Sequence, residues 1–490
     1  MPLMTAGEYL DSLRRMKPTV YILGERVDSP TEDPHIRASI NATAATYELA
    51  FDQEYRHIAL VESPLTGGMI NRFNHVASSI EDLVARVKIN RVLGQRVGTC
   101  FQRCTGLDGL SALSITTYNM DRRYGTQYHQ RFLGFLRYMQ ENDYSGHIAV
   151  TDVKGDRSKR PHQQADPDLY LRVVERNEDG IVVRGAKAHQ TGSLNSHETI
   201  VLPTTALQEA DTDYAVAFSI PVDTPGLVHI YGRGTLDSRE VEGVDLGNCF
   251  YGKYCTLVVF DDVFVPWDRV FMCGEWEFAG EMVSRFSSYH RQSHGGCKSG
   301  LLDVVSGAAY TMAEYNGTAK VSHIREKLTD IIHRAETIYA CTLASSYEGH
   351  REPSGTYAVN SVLANAAKIH EGRDLVEAMR LLLDIAGGLV GTMPSELDLQ
   401  NPATGAFLEK YLKGVEGVQT RDRMRMFRLV EKLAMESRDL VSAVHGGGSP
   451  QAHRLTILRE TDLEAKARLA RRLAGIQDGP SPGLAPGVRP

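Results

Sequence analysis

Four residues of this 490-residue chain have the types and spacing to hold one metal centre: Cys100 and Cys104 in GTCFQRCTG, and His290 and Cys297 in YHRQSHGGCKSG. On a helix the first two thiols would share one face about one turn apart, and the seven residues from His290 to Cys297 amount to about two turns. Gly295 and Gly296 give the backbone between them room to approach a bulky group. A Cys3His set suits an iron–sulfur cluster, in which imidazole in place of one thiolate retunes the cluster and leaves that iron more open to substrate. The same set suits structural zinc, and two unrelated pairs of buried thiols are commoner than either. The remaining cysteines, Cys249, Cys255, Cys273 and Cys341, follow no regular spacing, which fits reduced thiols or ligands better than a disulfide framework.

Holding such residues together is the task of three kinds of segment. Residues 1–145 carry apolar residues at helical spacing, as in SSIEDLVARVKINRVLGQR (78–96) and YHQRFLGFLRYMQEN (128–142), and predict an N-terminal helical domain. From 146 to 275 the chain turns to β-branched runs broken by turn residues, among them HIAVTDV, ETIVLPT, YAVAFSIPV and CTLVVFDDVFVP, and a central β-domain is expected. Asp179-Gly180 between two such runs predicts a tight hairpin turn with paired positive φ. Residues 276–476 return to long helical stretches, read as a C-terminal bundle, and the Gly/Pro-rich 477–490 reads as a flexible tail. The order helix, sheet, bundle predicts an α+β, acyl-CoA-dehydrogenase-like architecture with a flavin between sheet and bundle, although architecture alone assigns no chemistry.

Composition narrows the partners. A net charge of −7 offers no basic stripe for a phosphate backbone, so nucleic acid is not expected. The N-terminus lacks a continuous apolar core, and no stretch approaches the ~20 apolar residues of a membrane span, so a cytoplasmic enzyme of small molecules is expected.

Several long motifs carry a resemblance that covers almost the whole chain. CFQRC (100–104), TDVKGDRSK (151–159), DGIVVRGAKAHQTGSLNSHE (179–198), FAGEMVSRF (278–286), YHRQSHGGCKSG (289–300), AGGLVGTMPSE (386–396) and GGSPQAHR (447–454) resemble the 4-hydroxybutyryl-CoA dehydratase (vinylacetyl-CoA Δ-isomerase) family, within the wider 4-hydroxyphenylacetate 3-hydroxylase-like flavoproteins. The resemblance implies a [4Fe-4S] cluster on Cys100, Cys104, His290 and Cys297, and FAD on Thr151, Lys154, Gly155, Asp156, His189, Gln190 and Thr191, with the turn at Gly446 and Gly447 facing the flavin. By composition alone the KGD loop would read as a solvated turn and the glycines as a helix stop.

The activity so implied is a radical dehydration of a 4-hydroxyacyl thioester. Its C3 hydrogen is not acidified by the carbonyl; loss of the C2 proton and of one electron to flavin makes it acidic enough to leave, hydroxide departs, and the electron returns. In this reading His290 is both ligand and base, one iron polarises the departing oxygen, Lys298 and Gln102 bond substrate oxygens, and Thr191 tunes the flavin. A solvated surface cation is the plain alternative for Lys298. Three positions depart from the family pattern: His294 in place of Tyr, Cys255 in place of Glu, and Ser442 in place of Glu. His294 then reads either as a new acid or base or as a buried histidine against a glycine turn, and Cys255 as a small strand residue. The departures motivate a second reading, the same cofactors acting on a different hydroxy acid or amino acid derivative, and the wider family a third, a cluster-free flavin aromatic monooxygenase. The resemblance also implies a homotetramer.

Overall fold

The computed structural model describes residues 3–235, 245, 247 and 250–476; the expected tail 477–490 and Cys249 lie outside the described residues. The N-terminal part supplies the helices Ala6–Arg15, Pro34–Glu48, Ile80–Val97, Cys104–Tyr124 and Tyr128–Glu141. Their ends follow local chemistry. Ser79 caps Ile80–Val97 through its hydroxyl, and Gly98 in the left-handed conformation (φ 59°) stops it two residues before Cys100.

The central part is two sheets around one core. A six-stranded sheet runs Glu25–Arg26, Thr19–Ile22, Leu227–Tyr231, Cys255–Pro266, Gly180–Thr191, Arg172–Arg176, and a four-stranded sheet runs Val270–Cys273, Val216–Pro221, Glu198–Val201, Gly146–Ala149. Phe260 and Val263 of the first meet Phe218, Ile200 and Phe271 of the second in one apolar cluster. Thr19–Ile22 pairs in parallel with Leu227–Tyr231, so the N-terminal segment is stitched into this sheet. The hairpin foreseen at Asp179-Gly180 exists, with Arg176 opposite Ile181, but neither residue has positive φ. Asn177 makes the turn instead, its side-chain oxygen accepting the N–H groups of Asp179 and Gly180.

The C-terminal part centres on one helix of 37 residues, Ala279–Tyr315, flanked by Ser322–Tyr347 and Ser361–Ala386. Leu302, Ile331, Leu375 and Phe427 share its core. Residues 420–445 form two helices, Thr420–Met435 and Ser437–His445, because Glu436 (φ −72°, ψ 105°) leaves the helical region. Helix Ile80–Val97 crosses the long helix at very close range: a Cβ on Gly94 would lie 2.2 Å from the Cys297 carbonyl oxygen, and one on Gly296 2.9 Å from that of Val87. The glycines of HGGCKSG therefore let two helices touch, which corrects the reading that they make room for a bound group. Among the described residues no helix is long and apolar enough to cross a membrane.

Candidate active site

Cys100 and Cys104 do not lie on one helix. Cys100 sits in the non-helical bridge after Gly98, and Cys104 opens the helix Cys104–Tyr124. Between them Gln102 takes positive φ (67°), and its amide is bound on both sides, donating to Ser39 Oγ, the Gly252 carbonyl (3.2 Å) and the Cys100 carbonyl (3.3 Å) and accepting from Asn195 Nδ2 (3.2 Å). Gln102 thus pins the loop that carries Cys100. The long helix brings His290 and Cys297 to the same place, both buried.

Cys100, Cys104 and Cys297 are close enough that their neighbours' charge raises the proton affinity of Cys104 and of Cys297. Burial and then the Cys100 thiol push Cys104 up to about 12, and burial holds Cys297 well above the usual thiol range against the opposing charge of Lys298. The two buried thiols, Cys104 and Cys297, with Cys100 half-buried beside them, become favourable ligands once a cation replaces their protons. His290 completes the set. Its Nδ1 lies 2.7 Å from a carboxylate oxygen of Asp108, which leaves Nε2 available, and the Cys104, Asp108 and His290 ligand atoms lie within 4.8 Å of one another. Asp108 itself is fully occupied: its other oxygen accepts from Ser293 (2.8 Å) and pairs with Arg86. It orients the imidazole, as carboxylates behind metal-binding histidines do. The donor set fits an iron–sulfur cluster.

Lys298 is 1% exposed and donates to Asp439 (3.2 Å), whose second oxygen takes the Thr99 hydroxyl (2.6 Å). The surface-cation alternative is excluded. Its charge is balanced by Asp439.

His294 is buried beside His290, the rings edge to face at 4.6 Å. Its Nδ1 lies 3.0 Å from Glu371, whose carboxylate is also 2.6 Å from the Lys368 ammonium. Lys368 reaches further to the carbonyls of Ala443 (2.8 Å) and Ser442 (3.3 Å) at the end of Ser437–His445, a cation at a helix C-terminus. Burial, then Lys368, hold His294 well below its ordinary value, so it is neutral at pH 7. The turn after that helix rests on both histidines. Gly447 (φ 73°) would place a Cβ 3.5 Å from His290, and Gly446 one 2.6 Å from His294. The turn is more than a helix stop. Beneath it His453 is buried, pushed down to about 3 by burial and Arg291, and among the described residues its Nε2 and Glu371 Oε2 have no hydrogen-bond partner.

The expected flavin segments meet beside this site. The Thr151 carbonyl accepts from the Ala188 N–H (2.8 Å), and Lys187, buried below, pairs with Asp152 (2.7 Å) and the Val150 carbonyl (2.8 Å). Gly155 has φ 50°, and the Asp156 N–H donates to Gln164 (3.0 Å). Burial, then the nearby charge of Lys154, lowers the proton affinity of His189 (φ 61°). Gln190 is buried. Thr191 lies opposite Cys255 across the strands, Oγ1 to Sγ 3.0 Å, and Gly192 packs against Gln102.

The profile of the 4-hydroxyphenylacetate 3-hydroxylase N-terminal region matches residues 5–272 and that of its C-terminal region residues 279–475. A curated 4-hydroxybutyryl-CoA dehydratase/vinylacetyl-CoA-Delta-isomerase from Clostridium aminobutyricum is 48% identical over 97% of this chain and 100% of its own length. The chain belongs to the 4-hydroxybutyryl-CoA dehydratase family. An oxygen-tolerant archaeal 4-hydroxybutyryl-CoA dehydratase from N. maritimus superposes with a TM-score of 0.95 at 46% identity, covering 98% of this chain and 96% of that one. The oxygenase component of 4-hydroxyphenylacetate 3-monooxygenase, solved with FAD and 4-hydroxyphenylacetate, gives 0.86 at 25% identity over 96% and 98%. An acyl-CoA dehydrogenase from Slackia heliotrinireducens shares the fold alone, with a TM-score of 0.50 at 12% identity over 95% and 97%.

For a 4-hydroxybutyryl-CoA dehydratase family member, sequence reasoning found the thiols and His290 but missed what stands behind them. Asp108, Glu371, Lys368, Asp439 and His453 were not singled out. The available signals were Asp108 four residues after Cys104 on one helix, and a Lys368–Glu371 pair inside an apolar helical run. Two cavities, one of about 240 Å³ by Lys17 and Leu194 and one of about 510 Å³ by Arg334 and Asp374, contain none of the site residues.

Proposed function

We propose that this protein is an FAD- and [4Fe-4S]-dependent dehydratase of 4-hydroxybutyryl-CoA or a closely related hydroxyacyl thioester. The observation that carries this reading is the convergence of the buried Cys104 and Cys297 thiols, the half-buried Cys100 and an Asp108-oriented imidazole under the strand end that bears His189–Thr191. Cys100, Cys104, Cys297 and His290 would hold the cluster; Thr151, Lys154–Asp156 and His189–Thr191, with the Gly446–Gly447 turn, would hold FAD. When bound, these groups supply a Lewis-acidic iron for the departing oxygen and a one-electron acceptor.

The chain's own residues then divide the proton work. With His290 held as a ligand, His294 is the acceptor for the C2 proton: its Nδ1 lies 3.0 Å from Glu371 and 3.2 Å from the Lys368 ammonium, and in the tautomer in which Glu371 takes the Nδ1–H, Nε2 is free to accept the proton and the carboxylate stabilises the imidazolium that forms. That assignment moves the base from His290 to the position at which the family pattern has Tyr. Cys255 replaces a carboxylate, and the uncharged contact from Thr191 to its sulfur leaves proton transfer to the histidine side of the site. Burial of His290, His294, Cys104 and Cys297 excludes water around them.

A homotetramer is part of the same proposal. It is supported by the helix Leu463–Leu473, which buries none of its residues and leaves Leu463, Leu469 and Leu473 exposed.

The test is anaerobic turnover of 4-hydroxybutyryl-CoA by protein with measured FAD and iron, following crotonyl-CoA. Formation of crotonyl-CoA is expected. No product from fully loaded protein would overturn the substrate assignment and favour a different hydroxy acid or amino acid derivative, and protein that holds FAD without iron or sulfide would favour the monooxygenase reading.

A further inference from the structure

The two side chains expected to grip the substrate's oxygens are engaged elsewhere. Gln102 is bonded at both ends of its amide, and Lys298 is turned to Asp439. A different cation is not engaged. Lys253 is 6% exposed, yet among the described residues its ammonium makes a single hydrogen bond, to the Arg438 carbonyl at 3.5 Å, a length at which little bonding remains. Among the described residues two or three N–H donors of this cation therefore have no close partner, an arrangement that costs stability unless a ligand meets them.

Its position is tightly fixed. Gly252 before it accepts from Gln102 in the cysteine loop (3.2 Å). Tyr254 after it donates to Asn195 Oδ1 (2.9 Å) and accepts from the Leu194 N–H (2.6 Å). Cys255, next along, faces Thr191 at the end of the expected flavin strand. Lys253 thus stands where the cysteine loop, the flavin strand and the helix Ser437–His445 meet, and its charge acts on His290, His294 and Asp439.

We propose that Lys253 binds the acyl carbonyl oxygen of the substrate. This rests on the reading of the site as an acyl dehydratase. As the C2–H bond breaks, the proton passes to His294 and the electron pair shifts onto the carbonyl oxygen, where a buried ammonium gains most because the charge develops in a dry site. The substrate class follows: an acyl compound whose carbonyl oxygen accepts from an ammonium while its C2 lies by His294.

The experiment uses holoenzyme and butyryl-CoA, which lacks the leaving hydroxyl, with two readouts: the shift of the flavin absorption on titration, and exchange of the C2 hydrogens with deuterium from solvent. Lys253→Met is expected to weaken butyryl-CoA binding about tenfold or more and to slow C2 exchange further, with FAD and iron contents unchanged; Lys253→Arg should recover part of both. Unaltered binding and exchange in Lys253→Met overturn the assignment, as does loss of iron in both variants, which would make Lys253 a counter-charge for the cluster. Wild-type protein that gives neither flavin shift nor exchange with butyryl-CoA overturns the acyl-CoA reading and the assignment together, whereas a wild-type response that survives Lys253→Met overturns the assignment alone.

Discussion

At the scale of single residues, two histidines one turn apart on the long helix are each backed by a carboxylate, His290 by Asp108 and His294 by Glu371. The two pairs have separable consequences. Asp108→Asn keeps the volume but loses the charge behind His290, so iron affinity should fall roughly 10- to 100-fold while the protein still folds, as followed by competition with a chelator. Cys297→Ala should lose cluster and turnover together, and full iron and sulfide in that variant would remove Cys297 from the ligand set. His294→Gln should retain iron and FAD but abolish C2 hydrogen exchange; His290→Gln should lose iron first. An exchange-competent His294→Gln would return the role of base to His290. Why the thiols were legible and their supports were not is a matter of distance along the chain. Cys100-Cys104 and His290-Cys297 are short-range patterns, whereas Asp108 and His290 are 182 residues apart and meet only through the packing of two helices. A lone Asp in an amphipathic helix gives no local sign that it faces inward.

At the scale of elements, the sequence's periodicities were faithful for the long helix and the strands, because burial of one face dictates them. They failed where a short irregular segment carries function. Positive φ at Gln102, the break at Glu436 and the Asn177-built turn are set by side-chain hydrogen bonds and tertiary contacts that no period records. The glycines of the long helix were legible as special but misread, because a missing side chain serves a neighbouring helix as well as it serves a ligand. Gly296→Val should destabilise the protein by about 1–3 kcal/mol in thermal or denaturant melts, since its branches meet Val87 and Asn90 at a crossing that has no slack.

At the scale of the whole molecule, the β-domain buries histidines in neutral form. Burial pushes His147 and His197 down to about 3 and His229 down to about 4. Unfolded, each would take a proton near pH 6.5, so the stability they confer is complete above that pH and is lost as pH falls towards 4 and 3. His229→Gln should flatten the fall of melting temperature with acidification, recovering up to about 3 kcal/mol near pH 4. The proposed homotetramer predicts a light-scattering mass four times that of the chain, and if the exposed leucines of Leu463–Leu473 pack in it, Leu469→Glu reduces that mass.

The contact at Gly94, Gly296 and Gly300 also bears on how the protein is made. The proposed ligands come from chain segments almost two hundred residues apart, and the second is translated long after the first has left the ribosome. A cluster on these residues would have to be delivered after the long helix is synthesised and before helix Ile80–Val97 closes on it, since Cys104, His290 and Cys297 end up buried. Maturation would then be a race between docking and delivery, and folded metal-free protein should take up iron and sulfide slowly unless those two helices are first allowed to part.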